Sequence, residues 1–233
     1  MNPDLQRVLI HSQPPEWASN PAVHTLIADY AAYHLVFLVT GGVVFLALLA
    51  LSLFCGVKLS GLRATAGAGR GFAKKVHASF LFLSAAAALL LALILVANAA
   101  NALSPTHGFS LLARASTTSG DAELDRALSA WVNSGERQPP ALISRRVQAR
   151  VSYQAPKAVI CGLLLALSAA LSCRIWAGLI RTRSSAPASW RGAVALSAGI
   201  TTAAFAFLML LMVLGNTQGA AAPIAITVLG AGG

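Results

Sequence analysis

Apolar residues gather into four long runs, Tyr33–Phe54, Val76–Ala100, Ala158–Ala177 and Gly192–Leu214, with polar and charged segments between them. A helix needs about 20 apolar residues to cross a hydrocarbon core of about 30 Å, and each run is that long. None alternates with the two-residue period of a barrel strand. Lipid offers no partner to a peptide N–H or C=O, so the runs are expected as helices with internally closed backbone bonds. The pattern predicts an all-α integral membrane protein with four transmembrane helices in a compact bundle.

The boundaries divide the chain into an N-terminal segment (1–32), a first hairpin (33–100), a central loop or cap (101–157), a second hairpin (158–215) and a small-residue tail (216–233). Short amphipathic helices are expected in the central segment. Ser119 or Asp121 is suited to cap a helix through Glu123–Val132, where Leu124, Leu128 and Trp131 share one face and the acids fall at the start. Gly135 and Pro139-Pro140 interrupt it. A second stretch runs from Ala141 toward Tyr153, with Ile143, Val147 and Val151 at intervals of four and Arg145, Arg146 and Arg150 off that line. Pro156 is expected to break this stretch before the third span, because the residue preceding a proline disfavours helix. An irregular loop is the alternative reading of the same residues.

Composition strengthens the membrane reading: 57% of residues are hydrophobic and the mean hydropathy is +0.71. The net charge of +10 matters through its placement. Lys58, Arg63, Arg70, Lys74 and Lys75 follow the first span; Arg174 sits in the last turn of the third and Arg181, Arg183 and Arg191 follow it, with no acid in either connector. The positive-inside bias then puts both connectors in the cytoplasm and both termini outside, N-out/C-out. The long central segment is basic too, at Arg145, Arg146, Arg150 and Lys157, but long loops weigh less on orientation. The connectors suit anionic headgroups, and nucleic acid is not an expected partner. The Ala-rich composition suggests a plasma membrane of bacterial type, the inner membrane.

Other patterns carry less. The first 30 residues lack the organisation of a signal peptide, so insertion is expected to depend on the first span. Gly67-Ala68-Gly69-Arg70-Gly71 lies between membrane helices rather than in a strand–turn–helix unit, so it reads as a tether, not a dinucleotide site. Cys55, Cys161 and Cys173 suggest isolated small side chains rather than a disulfide framework. Trp17, Tyr30, Tyr33, Trp131, Trp176 and Trp190 fall at run ends or outside the runs, as an interfacial belt requires.

The interiors of the runs contain no Asp, Glu, Lys or Arg, the residue types on which proton and ion pathways usually depend. His24, His34 and His107 have no ligand spacing, and His34 and His77 fall at opposite span ends, which does not suit axial haem ligation. The expectation is no metal, no cofactor and no catalytic residue. Asn98 and Asn101, one helical turn apart, join His107, Trp131, Arg145, Arg146 and Arg150 as a candidate outer polar or partner-contact site. Ser84, Ala88, Ser168, Ser172, Gly199 and Ala203 are candidates for close helix packing, since small side chains let backbones approach. This pattern favours a non-catalytic accessory or structural subunit of a larger membrane complex, with membrane lipids and other integral subunits as partners. The alternative is an oligomeric channel or small transporter, with anions suggested by the basic outer segment; a homo-oligomer fits either.

Overall fold

The computed structural model describes residues 19–64, 71–115, 121–182 and 190–229. The 67–70 portion of the connector glycines, Trp17, Ser119 and Arg183 lie outside the described residues. Seven helices account for nearly all the rest: α1 (Pro21–Ala64), α2 (Gly71–Leu103), α3 (Pro105–Ala115), α4 (Ala122–Ser134), α5 (Ala141–Thr182), α6 (Trp190–Ala221) and α7 (Ile224–Leu229). There is no strand among the described residues. Helices α1, α2, α5 and α6 are long and apolar enough to cross a membrane. The protein is therefore a multi-pass α-helical membrane protein.

The long helices overrun the apolar runs. At 44 residues, α1 extends about 66 Å, twice what a bilayer core requires. It starts at Pro21, whose missing N–H is harmless in a first turn. The Asn20 side chain caps it, accepting from the N–H groups of Ala22 and Val23 at 3.0 and 3.2 Å.

Pro156, expected to end a short helix, instead lies inside the 42-residue α5. The fixed φ of proline is helical, and the penalty is one missing N–H and a clash with the preceding turn. A full break would free several backbone groups near the lipid boundary, where they find poor substitutes for water. The exposed position of Pro156 leaves its ring outside the packed interior.

The chain forms two compact units. The first contains the described residues up to Val39, those from Leu95 to Lys157 and those from Gly215 onward. It has its own apolar core, in which Trp131, Phe109, Leu26, Leu128, Ile143, Val23 and Val132 are essentially inaccessible. Each such side chain contributes roughly 1.5–3 kcal/mol on burial from water. Capping defines α4: the Asp121 carboxylate accepts from Glu123 N and Leu124 N, both at 3.1 Å. At its other end Gly135, with φ 67°, turns the chain in the left-handed region. Asn20 Nδ2 also donates to Val132 O at 2.8 Å, fastening the start of α1 to α4.

The second unit contains Thr40–Ile94 and the described part of Ala158–Leu214. Large aliphatic side chains dominate its exposed surface, including Val57, Phe82, Leu163 and Leu167. Small polar groups lie inside: Ser52 Oγ and Ser84 Oγ are 2.7 Å apart between α1 and α2. Trp176 on α5 donates its indole N–H to Gly199 O on α6 at 3.2 Å and meets Phe80 of α2 edge-on at 5.1 Å. The half-buried indole of Trp176, near the end of the third run, thus finds both its acceptor and its aromatic contact on neighbouring helices.

Candidate functional site: polar clusters and an outward groove

Two polar clusters belong to the first unit. One is built on α1, α2 and α3. His34 Nδ1 lies 2.8 Å from Asn98 Oδ1, a pairing that uses the imidazole as donor. Tyr30 and Tyr33 flank the same imidazole edge-on, at 4.5 and 5.5 Å between ring centres. Asn101, one turn beyond Asn98, comes to Gly108 of α3 beside the Tyr30 hydroxyl. A Cβ at Gly108 would lie 2.5 Å from Tyr30 Oη and 2.6 Å from Asn101 Oδ1, so the glycine sets the approach of α3. The two asparagines therefore make internal contacts.

The other cluster is built on α1, α5 and α6. Gln218 Nε2 donates to Tyr33 O at 3.1 Å. The neighbouring Gly219 leaves room for the Gln154 amide, which occupies the place a Cβ would take. Arg150 lies one turn before Gln154 and within electrostatic range of the Tyr33 phenol. Arg150 Nε and Gln154 Oε1 are both shielded from solvent, and neither has a hydrogen-bond partner among the described residues.

The remaining contact candidates separate by environment. Arg146 forms an ion pair with Asp121 at 2.7 Å, its side chain 52% exposed. Arg145 is exposed and its Nε donates weakly to Ala141 O at 3.4 Å. His107 is exposed on α3. Trp131 corrects the sequence reading, both as a contact residue and as part of an aromatic belt. It is 1% exposed, and its indole donates to Glu136 O at 2.7 Å, so it offers no surface to a partner. Its apolar stripe with Leu124 and Leu128 faces a protein core.

In the second unit, Ser84, Ala88, Ser168 and Ser172 are buried. Gly199 is buried under Ile175 and Trp176, whereas Ala203 is half-buried. Between α5 and α6 an outward groove of about 610 Å³ is lined by Leu171, Ile175, Ala193, Val194, Ser197, Ala198, Thr201 and Thr202. Ala193, Ser197 and Thr201 recur every fourth residue and are all exposed.

Sequence reasoning missed several of these residues. Asp29 Oδ2 accepts from Ala225 N at 2.8 Å and fastens α7 to α1. Gln154 and Gln218 gave only the weak signal of isolated amides near run ends, and Gly108 that of a glycine following Pro105. Among the described residues, no three His, Cys, Asp or Glu side chains gather as metal ligands would. No known protein family, curated protein or solved structure matches the chain.

Proposed function

We propose that this chain is a non-catalytic accessory subunit of a larger membrane assembly, held laterally against another integral subunit through the α5–α6 face. The observation that carries this reading is the exposed Ala193–Ser197–Thr201 stripe in the groove. Many other exposed positions on these helices carry large side chains, such as Val159, Leu163, Leu167 and Phe207, and the exposed Ala166, Ala170, Ala177 and Ala204 carry no hydroxyl. The stripe substitutes small residues at four-residue spacing, two of them with hydroxyls. Lipid provides no hydrophobic drive for helix association, so close backbone approach and interhelical hydrogen bonding decide where helices pair. A partner helix seated here gains both.

The folded first unit supplies the second contact. Its core does not depend on lipid, and its exposed His107 and Arg145 are available to an extracytoplasmic partner surface. In this reading the basic connectors are cytoplasmic, and the membrane is a bacterial inner membrane. The internal contacts of Asn98 and Asn101 weigh against a vestibule lined by them, and so against the channel alternative.

The test is site-specific photo-crosslinking in the native membrane from position 197, with position 163 as the control. The reading predicts a discrete adduct with an unlike integral membrane protein from 197 and lipid adducts from 163. Lipid or self-adducts alone from 197 contradict it, and selective anion flux through the purified protein would favour a channel.

A further inference from the structure

Charge is unevenly divided along the chain. All 7 Asp and Glu residues fall outside 40–94 and 158–214, the stretches that make up the second unit, whereas Lys58, Lys74, Lys75, Arg174 and Arg181 fall inside them. The second unit therefore has no carboxylate of its own to neutralise these cations. Two of them come from different helices to the same part of the surface. On α1 the exposed Lys58 sets its ammonium 5.6 Å from the centre of the Phe54 ring, one turn earlier, within the range of a cation–π contact. On α2 the His77 ring lies 6.5 Å from the same Phe54, and its Nδ1 donates to Ala73 O at 2.8 Å. Lys74, three residues before His77, shares that side of α2. Phe54 is 55% exposed, so its ring is open to the surroundings rather than part of the core.

Depth along the helices indicates what reaches this surface. Phe54 closes the first apolar run and Val76 opens the second, so the ring lies at the edge of the hydrocarbon. Lys58 is four residues beyond Phe54, and Lys74 two residues before Val76; these are helical rises of about 6 and 3 Å. Both ammonium groups thus fall in the headgroup layer, which is roughly 5–8 Å deep. Below Lys58, Leu51 and Phe54 are exposed and apolar, a face that acyl chains cover and an acidic segment in water does not. A phospholipid supplies both halves, phosphate at the depth of the lysines and chains beside the ring. A zwitterionic headgroup also brings its own cation to the lysines, and an anionic one does not.

We propose that Lys58, Lys74 and Phe54 form a docking surface for one anionic phospholipid in the leaflet on the side of the short connectors, with phosphatidylglycerol as the simplest example. Phosphate oxygens accept from the two ammonium groups in charge-assisted bonds, and the acyl chains lie against Phe54 and Leu51. Lys75, two residues from His77, projects from the other side of α2 in line with the exposed Phe82 and contributes only diffuse attraction. The surface belongs to α1 and α2 and functions without a protein partner in the α5–α6 groove.

The experiment is native mass spectrometry of the delipidated full chain titrated with phosphatidylglycerol or phosphatidylcholine, for the wild type and four variants. The wild type binds its first phosphatidylglycerol about tenfold or more tightly than its first phosphatidylcholine. Lys58→Gln and Lys74→Gln each weaken that binding about fivefold, the scale of one basic residue at an anionic surface. Lys75→Gln leaves it unchanged, and Lys58→Arg, which keeps the charge, retains the preference. Circular dichroism reads the helix content of each variant. Equal affinity for the two lipids overturns the proposal, as does equal weakening by Lys58→Gln and Lys75→Gln, which would mean a diffuse field rather than a site. Free glycerol 3-phosphate or an oligoglutamate peptide at the same concentration leaves the lipid bound. Displacement by either would overturn the lipid in favour of a soluble phosphate ester or an acidic protein segment.

Discussion

Replacing Gly108 with alanine tests the packing of α3 directly. The added methyl would meet Tyr30 Oη at 2.5 Å and Asn101 Oδ1 at 2.6 Å. To restore an ordinary contact near 3.4 Å, each polar atom must retreat by roughly 0.9 Å, the kind of forced shift that makes overpacking unfavourable by about 1–3 kcal/mol. Alanine gains roughly 0.5–1 kcal/mol over glycine within a helix. The net expectation is a destabilisation of up to about 2.5 kcal/mol, concentrated in the first unit. Gly162→Ala is the control, since nothing lies within 4 Å of its added methyl. Hydrogen–deuterium exchange across residues 105–115, in one detergent, reads the local loss, with 1.4 kcal/mol corresponding to about tenfold in protection. Combining Gly108→Ala with Tyr30→Phe removes the hydroxyl from the collision and should recover part of that loss, appearing as favourable coupling in a double-mutant cycle. Protection in Gly108→Ala equal to or above wild type, or a double variant no better than the single one, would refute this reasoning.

Trp131→Ala should lower stability by about 3–5 kcal/mol through cavity formation, and Trp131→Phe by less; equal thermal shifts for the two would show that ring volume is not what matters. Asp121→Ala removes the α4 cap and should cost about 1 kcal/mol or more, whereas Arg146→Ala, losing one exposed ion pair, should cost at most about 1. Chemical denaturation of the two variants gives the order, and a larger loss from Arg146→Ala contradicts it. Pro156→Ala restores an N–H to the interior of α5 and should stabilise the protein by up to about 3 kcal/mol; a lower unfolding temperature would mean that α5 is adapted to the proline.

The four spans were legible because lipid demands long, uninterrupted apolar stretches, and such stretches have few imitators in a short chain. The ends were less legible, because polar residues near the boundary can continue a helix when protein packs around them. The start of α1 did leave a local signature in Asn20-Pro21, a cap followed by a proline at the first helical position. The α4 boundaries were readable for the same reason, through Asp121 and Gly135. Helix α7 was not: its six residues are held by Asp29, nearly two hundred positions away in the chain. Of the contact candidates, Arg150 shares α5 with Gln154 at a spacing the sequence shows, but Gln154 reaches Gly219, and Gln218 reaches Tyr33, only through the meeting of three helices, which composition and spacing do not encode. Trp131 shows the converse, since its apolar stripe was visible but the surface covering it was not.

Native mass spectrometry of the protein gently extracted from its own membrane tests the central claim most directly. The accessory-subunit account predicts a defined complex with at least one unlike integral membrane subunit, lost when Ser197 is replaced by a bulky residue. A partner-free homo-oligomer, unchanged by that substitution, would contradict it.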